Sequence, residues 1–488
     1  IFDQLARADW FDPEWMFGVD DGFDIVIGNP PYVRQEKIKN LKPDLQKQKY
    51  EVFTSTADLY VYFYEKGYKL LKDKGILSFI TSNKWMRAKY GEKLRKFLKE
   101  NTKVIEVVDF SGYRVFEQTV DTNIITLLKS KPEKGHLVSF VNVGSDVDDD
   151  VIKYIRNNKK TILQEKLSDS AWTLAEDKVL AIKEKIEKIG TPLKDWDVKI
   201  YFGIKTGYNE AFIIDTETRN KILANCKTEE ERKRTEEIIK PVLRGRDIEK
   251  WRYKWAGLWL IKIESGWTNK NRGREKPEEF FKRMLPSIYQ HLISFANKEA
   301  EGRRKGLLNR DDQGDYWWEL RDCDYYDEFE KEKIVWQEMS FEPAFAYDSR
   351  KFYTNQTAYI MTGKSLKYII GVLNSKISQW YMTQIAYSLS SNAQRWIKQY
   401  VERIPIPKVP EDQQKPIIDL VDKILECTTG TFACDYKNTD KNVHATSDYE
   451  TNQQKQARVK ELEKQIDQLV YKLYGLTEEE IRIVEGEL

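Results

Sequence analysis

A chain of 488 residues exceeds one ordinary hydrophobic core and has the length of about three domains. Hydrophobic residues make up 40% and charged residues 33%, as expected of a soluble, folded protein, and no apolar run approaches the roughly 20 residues a membrane helix needs. The 81 basic and 79 acidic residues leave a net charge of only +2, so a charged partner must be sought in where the charges lie. Cys226, Cys323, Cys427 and Cys434 form no CxxC pair and the histidines are His136, His291 and His444, which argues against a zinc site or disulfide framework and for a reducing cytoplasm. No metal is expected. Aromatics at 13%, 14 of them Trp, exceed what cores usually demand and leave some for stacking.

In chain order, Ile1-Phe2-Asp3-Gln4-Leu5-Ala6-Arg7-Ala8-Asp9-Trp10-Phe11 is acidic rather than signal-like, lacks an initiator Met and reads as the interior of a longer sequence. Phe23-Asp24-Ile25-Val26-Ile27-Gly28 has the β-branched texture of a buried parallel strand. It stops at Asn29-Pro30-Pro31-Tyr32, where two prolines fix the backbone and remove two donors. Functional groups of open α/β sheets lie just beyond the carboxyl ends of strands, which places Asn29 and Tyr32 in that crevice. Arg34 to Tyr50 is Lys-rich and reads as a mobile, solvated loop, with closure over phosphates as the functional alternative.

Leu59, Tyr62, Phe63, Leu70 and Leu71 have helical spacing, with Thr56 or Asp58 as caps and an end before Lys74-Gly75. Gly75 to Thr81 is the next strand, followed by Ser82-Asn83-Lys84-Trp85, a helix over 92–100 and a strand over Val104 to Phe110. Ile124 to Leu128 reads as a final strand, with Leu137 to Val143 continuing the sheet edge. Strands alternating with helices predict α/β, doubly wound parallel packing.

The Asn29-Pro30-Pro31-Tyr32 corner resembles the motif of the amino-methyltransferases, here the gamma-type adenine-N6 DNA methyltransferases. The resemblance implies transfer of a methyl group from S-adenosyl-L-methionine to an exocyclic nitrogen. The chemistry suits the residues. An adenine amine is a poor nucleophile because its lone pair is delocalised, and the Asn29 oxygen and Pro30 carbonyl can each accept one amine hydrogen and localise that pair. Tyr32 would stack on a base taken out of the duplex. The loop Tyr113-Arg114-Val115-Phe116 with 119–123 is assigned beside that base, Phe116 being either its contact or a core residue.

The same resemblance makes the first 145 residues the second half of a Rossmann-like methyltransferase sheet. The donor-binding half, with its Gly-rich loop, would precede Asn29, where only 28 residues stand. Gly203-Ile204-Lys205-Thr206-Gly207 lacks the glycine pattern and context to replace that loop. Asp58 and Asn83 are the candidates to line one wall of the donor pocket, and the chain alone is expected to bind the cofactor poorly and to be inactive.

Asp146-Val147-Asp148-Asp149-Asp150 reads as an acidic boundary, and 146–195 as a helical linker with Val179, Ile182 and Ile186 on one face. From Trp196 the texture changes to short strands, aromatics and interleaved basic residues. Four stretches over 196–410 resemble the TaqI-like specificity domain of type IIG restriction-modification enzymes: Phe202 to Phe212, Pro241 to Ile248, Leu373-Asn374-Ser375 and Val401 to Pro407. This implies a mixed α+β target-recognition domain for double-stranded DNA. Lys205, Arg244 and Arg246 stand beside glycines, where long cations can reach phosphate or guanine edges, and Arg272 and Arg274 lie in the basic, turn-rich stretch 266–274. Arg395 belongs to the polar stretch 387–396 with Ser388, Ser390, Ser391, Asn392 and Gln394. For each stretch the alternative is a solvated loop.

Asp315 to Arg321 and Tyr347 to Tyr353 are aromatic enough for core strands, with Cys323 as a buried thiol nearby. Residues 411–488 turn helical again around a polar loop, Cys427 to Tyr449. Val459, Leu462, Ile466, Leu469 and Leu473 form one apolar stripe, Gly475 ends that helix, and Thr477 with Glu480 caps a last one. The expected function is site-specific adenine methylation within a fused restriction-modification enzyme, whose nuclease would lie further N-terminal. Glu176-Asp177-Lys178 reads as helix surface rather than a nuclease triad. A DNA-binding module without activity and a protein glutamine methyltransferase are the alternatives.

Overall fold

The computed structural model describes residues 11–111, 113–117, 120–144, 147, 150–297, 306–386, 394–429 and 448–487. Expectations resting on residues 1–10, Asp146, Asp148, Asp149, Ser388, Ser390, Ser391, Asn392, Cys434 and His444 lie outside these residues. The chain divides into two compact units, the first comprising 1–184 with 382–395 and the second 185–381 with 396–488.

The first unit begins with helix α1 (Pro13–Phe17), capped by the Asp12 carboxylate, which accepts from the Trp15 amide. Strand β1 (Phe23–Gly28) follows Gly22, whose φ of +99° and close approach to Leu71 and Lys72 leave no room for a Cβ. Then come α2 (Lys42–Lys47), α3 (Tyr60–Leu70), β2 (Leu71–Ser82), α4 (Glu92–Asn101), β3 (Lys103–Phe110), β4 (Thr122–Leu128), β5 (Leu137–Asn142), α5 (Val151–Asn157), β6 (Lys160–Leu163) and α6 (Asp177–Ile189). The six strands form one sheet in the order β1-β2-β4-β3-β5-β6.

The sheet is mixed α/β rather than uniformly parallel. β1 runs parallel to β2 and β3 to β5, but β4 inserts antiparallel between β2 and β3. Among the described residues no helix joins β3 to β4; a short connection returns the chain beside the strand it left, and such a return is antiparallel. β1 is parallel as expected but lies at the sheet edge, with Ile25 and Ile27 62% and 78% exposed rather than buried. The outer strand on the far side is β6, from the stretch read as helical linker, so β5 is internal. The Lys-rich stretch after the corner is helical, a 3-10 turn (Gln35–Leu41) running into α2, and Lys42 Nζ donates to the Ala57 carbonyl at 2.6 Å. Tyr64, Trp85, Leu98, Val107, Ile125 and Trp172 are among the fully buried residues of this unit's core.

The second unit holds two four-stranded sheets among the described residues. One orders Tyr353–Thr354, Ile239–Leu243, Leu258–Ile261 and Ile213–Asp215; the other orders Phe345–Asp348, Lys333–Gln337, Ala358–Gly363 and Val198–Phe202. The stretch 315–321 is core, as expected, but as a turn rather than a strand. Trp318 stacks between Phe281 and Tyr316 at 4.9 and 4.8 Å, and the turn's backbone is satisfied by side chains. The Arg310 guanidinium donates to the carbonyls of Thr206, Asp312, Trp317 and Glu319, while the buried Glu319 carboxylate accepts from the amides of Gly266, Thr268 and Asp315. Cys323 is partly exposed, and desolvation raises its pKa.

The C-terminal helices are Glu411–Thr429, Asp448–Leu473 and Glu478–Glu485. Cys427 therefore belongs to a helix rather than to the polar loop. Gly475 takes φ +58°, and Thr477 and Glu480 make the reciprocal capping pair. Buried on the long helix are Leu462, Ile466, Asp467, Val470 and Tyr471, with Tyr474 just past its end, and the helix packs against helices Leu366–Leu373 and Glu411–Thr429. Among the described residues no helix is long and apolar enough to cross a membrane.

Candidate active site

The corner after β1 presents its groups unevenly. Asn29 and Pro31 are exposed, Pro30 is buried and Tyr32 is half-buried. The Asn29 amide makes no hydrogen bond among the described residues, so its oxygen is available as an acceptor. Downstream, the chain is pinned: the Leu59 amide donates to the Val33 carbonyl at 3.0 Å and the Gln35 amide to Asp58 Oδ1 at 2.9 Å. Asp58 thus closes the corner from α3's approach instead of capping the helix, whose N-cap is Leu59. Burial pushes the Asp58 carboxyl up against the opposing pull of the Gln35 N–H.

Tyr32 stands edge-to-face with Tyr60 at 6.2 Å and with Phe116 at 6.4 Å and 72°. The two rings assigned from sequence to the target base are therefore neighbours, though separated by 84 positions. The Tyr32 hydroxyl is buried without a partner, and desolvation pushes its pKa up to about 12. It stays neutral at physiological pH, which suits a ring used as a stacking surface and not as a base.

Beyond Tyr32 the strand ends form a buried polar tier. Tyr64 and Thr81 hydroxyls meet at 2.7 Å, and Asn123 Oδ1 accepts from Thr81 Oγ1 and Trp85 Nε1 at 3.3 and 3.2 Å. Asn83, 1% exposed, donates from Nδ2 to Asp109 Oδ1 at 2.7 Å and Ser111 Oγ at 3.1 Å. Both residues read as a donor-pocket wall make protein contacts, Asp58 through Oδ1 and Asn83 through Nδ2, while Asn83 Oδ1 is buried without a partner among the described residues. The described residues contain no group of three or more His, Cys, Asp or Glu arranged to hold a metal.

In the second unit, Lys205 pairs with Asp312 at 2.8 Å, and the Arg244 guanidinium grips Asp247 with two bonds at 3.0 and 2.7 Å. Arg246 and Arg274 are exposed and carry no protein partner among the described residues. Arg272 donates to Asn269 Oδ1 and the Glu275 carbonyl. Arg395 belongs to the first unit, in the short strand Gln394–Arg395. Sequence reasoning missed Arg310 and Glu319. A charged residue within an aromatic stretch, Glu319 after Tyr316-Trp317-Trp318, is the signal from which a buried, backbone-holding role could have been found.

Residues 2–116 match the Eco57I restriction-modification methylase model, and residues 240–406 match the TaqI-like C-terminal specificity domain. Among characterised proteins, the type II methyltransferase M.BstVI of Geobacillus stearothermophilus is 25% identical over 420 residues, covering 81% of this chain and 70% of that protein. The type II methyltransferase M.XhoI of Xanthomonas vasicola is 23% identical over 431 residues, covering 85% and 73%. In fold, the chain is similar to the Type IIL restriction-modification enzyme MmeI, solved in complex with DNA, with a TM-score of 0.58, 14% identity, and coverage of 94% of this chain but 56% of that one.

Proposed function

We propose that this chain, an Eco57I-like restriction-modification methylase segment followed by a TaqI-like specificity domain, serves a site-specific DNA methyltransferase acting on the exocyclic amine of adenine. The observation that carries the reading is the corner itself: an exposed, unbonded Asn29 at a strand end beside the facing rings of Tyr32 and Phe116.

A flipped adenine would stack on Tyr32, with Phe116 standing edge-on to it. Asn29 Oδ1 and the Pro30 carbonyl would each accept an amine hydrogen, raising the nucleophilicity of the nitrogen without a strong base. S-adenosyl-L-methionine would supply the electrophilic methyl. Asp58 Oδ1 already accepts from the Gln35 amide and Asn83 Nδ2 already donates to Asp109, while Asn83 Oδ1 is left without a partner among the described residues; on this reading the remainder of the donor cradle belongs to the full-length protein. The free edge of β1, with Ile25 and Ile27 exposed, supports a reading in which further sheet, carrying the donor site, covers that edge in the full-length protein. On this reading the chain alone is inactive.

Double-stranded DNA would be read by the second unit, with Arg246 and Arg274 free for phosphate or base edges and Lys205, Arg244 and Arg272 in supporting contacts, and by Arg395 of the first unit. An upstream nuclease would complete a type IIG enzyme, and the cytoplasm is the proposed compartment. Incubation of the full-length protein with tritiated S-adenosyl-L-methionine and either duplex DNA or its host's protein extract tests the reading. DNA should take the label; label confined to protein would overturn it.

A further inference from the structure

Asn83 does something the donor-pocket assignment does not describe. It opens the 3-10 turn Asn83–Met86 directly after β2. Its Nδ2 reaches Ser111 Oγ at 3.1 Å, just past the end of β3, and its backbone amide donates to the Asp121 carbonyl at 3.1 Å, just before β4. One residue thus holds both ends of the connection that carries Phe116. Its neighbour adds a second grip, since Trp85 Nε1 donates to Asn123 Oδ1 on β4.

The turn itself is rigidly held. Arg95, fully buried on α4, donates to the carbonyls of Trp85 and Ala88, and its other nitrogens donate to those of Asp169 and Ser170. The Met86 carbonyl takes the Trp172 amide at 2.8 Å. On the other side, Asp109, 0% exposed, receives Asn83 Nδ2 on one oxygen and faces Arg87 Nη2 at 3.5 Å with the other. An amide is suited to this place: a carboxylate at 83 would oppose Asp109 and lose both donated bonds.

We infer that Asn83 is a positioning residue that staples both ends of the Phe116 connection and thereby sets the Phe116 ring against Tyr32. The inference rests on the reading that those rings handle the target base. A staple on a rigid turn gives the aromatic contact its geometry before the base arrives, so its removal should loosen the connection and slow the step that needs Phe116.

The test uses Asn83→Ala, Asn83→Asp and the exchange pair Asn83→Asp/Asp109→Asn, which restores an amide-carboxylate pair in reverse. Both single variants keep the backbone bond to Asp121 and lose the side-chain bond to Ser111, so amide hydrogen exchange of the chain should rise about tenfold or more across 113–117, with β2 unchanged, and recover in the exchange pair. Unchanged exchange in that segment overturns the inference. In the full-length protein, Asn83→Ala should lower kcat while leaving the KM for S-adenosyl-L-methionine within about twofold. A selective rise in that KM would return Asn83 to the donor pocket, and unaltered kcat would remove its positioning role. If the wild type methylates no DNA, the functional reading fails on its own, and the exchange measurement still decides whether the staple exists.

Discussion

At the scale of single residues, the division of labour in the corner is set by which groups already have partners. Asn29 is exposed and has none among the described residues; Asp58 Oδ1 and Asn83 Nδ2 have theirs in the protein. The Tyr32 hydroxyl, like Asn83 Oδ1, is buried and unbonded among the described residues. A buried hydroxyl without a partner is destabilising, so Tyr32→Phe should raise stability by roughly 1 kcal/mol in denaturant titration and leave methyl transfer within about threefold. Tyr32→Ala, which removes the stacking face, should lower kcat/KM about ten- to a hundredfold. A Tyr32→Phe variant tenfold slower than wild type would mean that the hydroxyl, not the ring, does the work. Asn29 to Tyr32 was legible because the motif is contiguous. The role of Asn83 was not, because its partners Asp109 and Ser111 are 26 and 28 positions away and only the sheet brings them together.

At the scale of elements, alternating apolar runs placed β2, β3, β4 and α4 within a few residues of their observed bounds. They could not show direction. β4 carries the same β-branched texture as β2 and β3 on either side of it, and only the short connection from β3, without a helix among its described residues, marks it as antiparallel. Burial of β1 failed for a related reason: an apolar run reports what a strand needs to cover, not what covers it. The C-terminal helix shows the opposite slip, since its buried face includes a charged residue that an apolar stripe leaves out. Asp467, 8% exposed, accepts the Lys376 amide, and burial pushes its carboxyl up to about 6 from an ordinary 3.8. A carboxyl raised in the folded state contributes stability that is present below 3.8 and lost as pH rises through about 6. Asp467→Asn, which retains the acceptor without the charge, should therefore stabilise the second unit by roughly 1 to 3 kcal/mol at pH 7 to 8 and by little near pH 4, measured by thermal unfolding across that range. Equal effects at both pH values would contradict this origin.

At the scale of the whole molecule, two separately compact units carry the two halves of one proposed task, base chemistry in the first and DNA reading in the second. The chain covers 70% of M.BstVI and 56% of MmeI. Composition hid this arrangement, because the nearly balanced charge gives no sign of a nucleic-acid partner and the basic residues in question are scattered across turns. The central claim is that Asn29 activates an adenine amine. It is tested most directly by digesting duplex DNA to nucleosides after reaction with the full-length protein and labelled S-adenosyl-L-methionine, comparing wild type with Asn29→Ala. The account predicts label in 6-methyladenine for the wild type and a loss of at least about a hundredfold for Asn29→Ala, with DNA affinity changed less than about twofold. Label on cytosine, or an Asn29→Ala variant that still methylates adenine near the wild-type rate, would contradict it.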